Sequence, residues 1–148
     1  MEKPFLILSK DQNHTTNHNL YIFLLYMNLK QVIISAIAML LLDFIYLSAL
    51  SDFFNKLIFS IQGSKIKLNP IGAILCYILL IGGLNYFIIS RRKSLQEAFI
   101  LGIVIYGVYE TTNLALLKKW SPKAVALDTL WGGILFALTT KITYMLAK

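Results

Sequence analysis

The sequence contains a single cysteine, Cys76, so it cannot form a disulfide within the chain, and its cysteine content does not indicate a redox compartment. Charged residues make up only 14% of the chain, and there are three prolines and eight glycines among 148 residues. So little charge excludes intrinsic disorder, which requires low hydrophobicity and high charge density. It also argues against a soluble domain, in which about 25% of residues are charged.

Apolar residues account for 57% of the chain, and the mean hydropathy is +0.68. Four long apolar segments stand out, at residues 31–50, 70–89, 98–117 and 124–145. Each is long enough to cross a hydrocarbon core of about 30 Å at about 1.5 Å per residue. Backbone groups in lipid need hydrogen-bond partners within their own segment, which a helix provides. The sequence therefore predicts an all-α membrane protein, an antiparallel bundle of four transmembrane helices within a domain at residues 27–148.

Residues 1–26 differ in composition and are predicted to be a separate N-terminal extension. The extension is polar at first and ends in a short apolar run that is too short to span a bilayer, so we expect that run to lie at the interface. No small-residue cleavage site follows it, which argues against a signal peptide. His14 and His18 are four residues apart, but no Cys or carboxylate pattern accompanies them, so no metal site is predicted there.

The net charge of +7 comes from lysines and arginines that fall between the apolar segments. Such a distribution is typical of loops that face anionic headgroups, so the expected partner is the lipid bilayer rather than nucleic acid. The dense run Arg91, Arg92 and Lys93 lies in a short connection between the second and third segments. By the positive-inside rule it favours cytoplasmic termini.

Three carboxylates, Asp43, Glu110 and Asp128, lie inside the predicted spans. A charge near the bilayer centre costs at least about 2.5–3.5 kcal/mol, so each must be protonated, paired, hydrated or bound to a cation. Counted from the same membrane face, they lie at depths of roughly 11, 11 and 6 Å, given about 1.5 Å of rise per residue. The sequence predicts that they converge on one pocket that opens toward the face bearing Trp120. They are also the candidate metal ligands.

Helical spacing adds polar and aromatic side chains to this layer. Tyr106 and Asn113 share the helix face of Glu110, and Tyr109 and Thr112 flank that face. An aromatic residue follows each Asp by three positions, and Tyr77 falls at the same depth. The predicted pocket consists of Asp43, Tyr46, Tyr77, Tyr106, Tyr109, Glu110, Thr112, Asn113, Lys118, Trp120, Asp128 and Trp131.

Three short segments carry a resemblance to a known family: Asp43-Phe-Ile-Tyr46-Leu47, the block from Tyr106 to Trp120, and Asp128-Thr-Leu-Trp131-Gly132. Over about residues 27–148 the chain resembles the bacterial membrane-protein family called domain of unknown function 2177. It departs from that pattern at Glu110, where Asp is commoner, and at Tyr46, where Trp is commoner. The resemblance implies a membrane domain and brings no activity or cofactor with it.

The acidic layer is compatible with three classes of function. It could bind or transport a cation or proton, and transport would require a homo-oligomer because four helices enclose only a thin pore. As an alternative, the carboxyl groups could supply the general acid and base of an enzyme that acts on a lipid or isoprenoid. As a second alternative, they could clamp helices together in a structural or accessory protein. The sequence alone does not identify an enzyme.

Overall fold

The computed structural model describes residues 28–147, which form five helices and contain no β-strand. Their bounds are α1 Leu29–Ala49, α2 Ser51–Gln62, α3 Pro70–Leu84, α4 Leu95–Leu116 and α5 Pro122–Leu146, and a π-helical turn at Asn85–Ile89 continues α3. Four helical segments are long and apolar enough to cross a membrane: α1, α3 with its π-helical turn, α4 and α5. The predicted number of spans is confirmed. The predicted extension at residues 1–26 lies outside the described residues.

Side-chain caps fix where these helices begin. Ser94 accepts a hydrogen bond from the Glu97 N–H, while the Glu97 side chain accepts from the Ser94 backbone, so α4 begins at Leu95 rather than at the predicted residue 98. The Ser121 side chain caps α5 by accepting from the Lys123 N–H, and Pro122 occupies the first turn, which moves that start from the predicted residue 124. Polar residues just outside the apolar runs therefore extend both spans.

The segment between α1 and α3 contains a helix, α2, where the sequence analysis placed only a connection. Its 12 residues are too few to cross a bilayer. The side chains on one face are half-buried, and they recur at helical spacing: Phe53, Phe54, Leu57, Ile58 and Ile61. The helix ends at Gly63, whose φ of 70° is the left-handed conformation that glycine adopts without strain.

Helix α5 occupies the centre of the helix packing. It packs most extensively on α4 and next on α1, and α1 in turn packs on α3. Although α3 and α4 are consecutive in the chain, they are not among the well-packed pairs. The Tyr144 hydroxyl of α5 lies 2.9 Å from the Lys93 carbonyl and 3.3 Å from the Ile88 carbonyl, so α5 reaches the chain on both sides of the α3–α4 turn.

The side-chain contacts between spans pair residues in reverse chain order. Ser35 and Asp43 of α1 contact Asn85 and Tyr77 of α3, respectively. In the same way, Asp43 and Tyr46 of α1 contact Trp131 and Asp128 of α5. This order is the one that helices running in opposite directions produce.

Helices α4 and α5 approach each other closely through glycine. A Cβ atom built on Gly102 would collide with the Gly132 carbonyl, and one built on Gly133 would lie 2.7 Å from the Phe99 ring. Ala98, one turn before Gly102, is fully buried. Small residues at this spacing let membrane helices pack backbone against backbone.

The outer surface of the helices is apolar, as the membrane assignment requires. Phe44 is 69% exposed, Leu79 74% and Leu116 75%. The fully buried apolar side chains lie between the helices instead, among them Met39, Leu84, Leu135 and Phe136. A surface so rich in large apolar groups is stable in hydrocarbon and not in water, so the chain is an integral membrane protein.

Candidate functional site

Asp43 is held by two hydrogen bonds from neighbouring helices. Tyr77 of α3 donates its hydroxyl to Oδ2 at 2.7 Å, and the indole N–H of Trp131 in α5 donates to Oδ1 at 2.8 Å. The Asp43 side chain is buried. Each of its oxygens therefore has a donor, and the carboxylate joins α1, α3 and α5.

Tyr46 connects Asp43 to the second carboxylate. It lies one turn after Asp43 on α1 and donates its hydroxyl to Oδ1 of Asp128 at 2.6 Å. Its ring stacks on Trp131, with the centroids 4.4 Å apart and the planes 4° from parallel. Since Trp131 also binds Asp43, the two aromatic rings link the two aspartates within a single network.

Glu110 is the most buried of the three acids, with no exposed surface. The indole N–H of Trp120, in the α4–α5 connection, donates to its Oε2 at 2.8 Å. Its other oxygen, Oε1, is buried and meets no hydrogen-bond donor among the described residues. Glu110 is therefore only partly satisfied, in contrast to Asp43.

Glu110 and Asp128 are neighbouring carboxyl groups, and we call these two residues the carboxyl pair. Ionised carboxylates only accept hydrogen bonds, so a bond between the two requires a proton on one of them. Asp128 is half-buried. We call the pair, Asp43 and their donors Tyr46, Tyr77, Trp120 and Trp131 the carboxyl cluster.

Tyr106 and Asn113 lie on the same face of α4 as Glu110. The Tyr106 ring lies against Gly132, at a place where any side chain larger than hydrogen would collide with it. Asn113 is half-buried, and its Nδ2 has no acceptor among the described residues. An unpaired acceptor on Glu110 and an unpaired donor on Asn113 are thus one helical turn apart.

The structure does not bring every predicted residue to the carboxyl cluster. Tyr109 is 61% exposed, and Thr112 and Lys118 are exposed as well. Successive residues of a helix are rotated by about 100°, so Tyr109 points away from the direction of Glu110. These three side chains make no hydrogen bond to the carboxyl cluster.

The three acids are not arranged as a metal site. No group of three or more His, Cys, Asp or Glu side chains in residues 28–147 is close enough to hold a metal ion. The stacked rings of Tyr46 and Trp131 donate to different carboxylates, Tyr46 to Asp128 and Trp131 to Asp43. The candidate metal ligands Asp43, Glu110 and Asp128 therefore do not form a common coordination shell in this structure.

Comparison with family models matches residues 28–145 to the family described as "Predicted membrane protein (DUF2177)". The chain belongs to this family. The match covers all four candidate spans of this DUF2177 protein except the last residue of α5, and it covers the whole carboxyl cluster. Neither the curated proteins nor the solved structures include a match to the chain.

In this DUF2177 protein, α2 makes contacts beside the cluster that were not predicted from the sequence. The Phe54 ring lies 6.3 Å from the Tyr46 ring, and Lys119 donates to the Ser60 carbonyl at 2.9 Å. Lys123 lies over the Phe53 ring, 5.6 Å from its centroid. The apolar spacing in α2 was the signal that could have revealed this helix and its contacts.

Proposed function

We propose that this DUF2177 protein binds and releases a proton at the carboxyl pair, Glu110 and Asp128. The observation that carries the proposal is the fully buried Glu110 carboxyl group, whose Oε1 meets no donor among the described residues, beside a second carboxyl group, that of Asp128, in membrane-spanning helices. Two adjacent carboxylates cannot both be ionised at low cost, and one shared proton removes the repulsion and supplies the missing donor.

A proton suits the pair better than a metal ion does. A hard cation such as Ca²⁺ takes six or more oxygen ligands, and Mg²⁺ requires near-octahedral geometry. The pair supplies two carboxyl groups, of which Glu110 already accepts from Trp120 and Asp128 from Tyr46. A proton needs only one oxygen from each group, and Oε1 of Glu110 has no donor among the described residues.

Asp43 differs from the carboxyl pair in its hydrogen bonding, and this difference favours a structural role for Asp43 and a functional role for the pair. Both Asp43 oxygens accept bonds from neutral donors on other helices, which is the arrangement expected of an interhelical clamp. The carboxyl pair has a donor on one side and a like-charged neighbour on the other. An interhelical clamp does not require a second carboxyl group, because an Asn or Gln side chain could make the same hydrogen bond without charge repulsion.

The pair also lies close to one membrane face. Trp120, which binds Glu110, belongs to the connection between α4 and α5, directly after the end of a span. A proton that moves between water and Glu110 therefore has a short path at that face. Proton binding at the pair, unlike proton transport, needs only one exchange route and no second copy of the chain.

The two tryptophans provide a test, since each donates to a different carboxylate. In a Trp131→Phe variant, Trp120 is the remaining tryptophan, and its indole reports the charge of Glu110. We expect its fluorescence to change once as the pH is varied, because the change of charge occurs next to the indole. The change should disappear when Glu110→Gln or Asp128→Asn is added.

The matched control uses the other tryptophan. In a Trp120→Phe variant, Trp131 reports on Asp43, and its fluorescence should not follow the transition seen for Trp120. A pH-independent Trp120 signal, or a transition that survives both carboxyl substitutions, would contradict proton binding at the pair. The carboxyl groups would then be structural.

A further inference from the structure

Helix α2 and the α4–α5 connection form one surface at the membrane face nearest the carboxyl pair. Lys119 joins them by donating to the Ser60 carbonyl, which belongs to the last turn of α2. Carbonyls in that turn lack intrahelical partners and carry partial negative charge, so a lysine there also stabilises the helix end. The cation–π contact of Lys123 with Phe53 holds the first turn of α2 to the same connection.

The shape of α2 is that of an interfacial helix. It begins two residues after the end of the α1 span, and its half-buried apolar face is opposed by exposed polar residues, including Asn55 and Lys56. An amphipathic helix with these properties lies in the plane of the interface, with its apolar face toward the acyl chains. Its polar face then lies at the level of the headgroups.

This surface carries a strong excess of positive charge. Residues 51–69 and 117–123 contain six lysines and one acid, Asp52. All six lysines are exposed, and none forms a salt bridge with a carboxylate of the described residues: Lys56, Lys65, Lys67, Lys118, Lys119 and Lys123. In the opposite connection, Lys93 pairs with Glu97 at 2.8 Å, and Arg91 and Arg92 lie over the Tyr86 and Tyr144 rings.

We propose that the surface formed by α2 and the α4–α5 connection binds the headgroups of anionic phospholipids. Lysines that are not neutralised within the protein attract anionic lipid, and each one near the membrane surface favours binding by about fivefold. The apolar face of α2 adds the hydrophobic anchoring that keeps these lysines at headgroup depth. The bound molecules are anionic phospholipids of the surrounding leaflet, whose headgroups interact with the lysines that α2 keeps at headgroup depth.

The test uses the full chain reconstituted in phosphatidylcholine bilayers with a small amount of spin-labelled lipid. The measured quantity is the fraction of label immobilised by the protein, for phosphatidylglycerol and for phosphatidylcholine. We expect the protein to prefer phosphatidylglycerol by about fivefold or more, the effect of a single lysine at the surface. The variant Lys56→Gln/Lys65→Gln/Lys67→Gln should lose most of that preference.

A control variant of equal charge change, Arg91→Gln/Arg92→Gln/Lys93→Gln, alters the opposite connection and should keep the preference. NaCl at about 1 M, where the Debye length is about 3 Å, should reduce the preference of the unmodified protein, which tests the charge dependence without any substitution. The proposal is overturned if the lysine variant keeps its preference, if the control variant loses as much, or if salt has no effect.

Discussion

Tyr46 and Trp131 stack face to face, with their ring centroids 4.4 Å apart, and each donates a hydrogen bond to a different aspartate. Tyr46 binds Asp128 and Trp131 binds Asp43. The stack therefore determines where both carboxylates lie relative to α1 and α5. Both oxygens of Asp43 accept hydrogen bonds, whereas in the carboxyl pair Glu110 has an oxygen without a donor among the described residues.

Trp131→Phe removes the donor to Asp43 while keeping a ring that can stack on Tyr46. We expect it to lower the free energy of unfolding by about 0.6 kcal/mol, and by at most about 1.7 kcal/mol, the values found for side-chain hydrogen bonds in membranes. Unfolding in mixed detergent micelles measures the change. A double-mutant cycle with Asp43→Ala isolates the bond, and an equal loss in both backgrounds would show that the indole N–H contributes nothing.

Gly102→Ala tests the close approach of α4 and α5. The added methyl would collide with the Gly132 carbonyl, which is backbone and cannot move aside without shifting α5. We expect a loss of about 1–3 kcal/mol or more in unfolding free energy, as overpacking typically costs. Gly82→Ala is the matched control, because no atom lies within 4 Å of its added Cβ. Equal effects of the two substitutions would contradict the glycine-mediated contact.

Four spans require that the α1–α3 and α3–α4 connections lie on opposite sides of the membrane. In a Cys76→Ser background, we expect Ser64→Cys and Arg91→Cys to react with a membrane-impermeant maleimide from opposite sides. Both positions are exposed. Labelling of both cysteines from the same side would contradict the four-span topology.

Composition and hydropathy were enough to predict the four spans, because a bilayer imposes both the length and the apolar character of a helix. The ends of the helices were less accessible. Leu95 begins α4 because Ser94 and Glu97 form a capping box, a polar feature that lies outside the apolar run. Helix α2 was missed for a related reason, since its apolar residues occupy one face of a short helix rather than a continuous run.

The depths of the three acids could be read from their distances to the helix ends, but the partner of each acid could not. The choice of donor depends on helix rotation and on side-chain rotamers, which spacing in a single helix does not determine. Trp120 lies beyond the end of α4 and reaches Glu110 only because the connection folds back. Tyr109, by contrast, was predicted to line the pocket, but the rotation of α4 turns its side chain outward.

Infrared spectroscopy of the reconstituted protein measures the shared proton at the carboxyl pair most directly. If Glu110 and Asp128 share a proton, we expect a carbonyl stretch from a protonated carboxylic acid at neutral pH. The band should shift in D₂O and be abolished by Glu110→Gln or Asp128→Asn. Asp43→Asn, within the carboxyl cluster, and Glu97→Gln, which removes the exposed acid paired with Lys93, should leave the band in place. Absence of the band, or a band that persists in both Glu110→Gln and Asp128→Asn, would contradict the account.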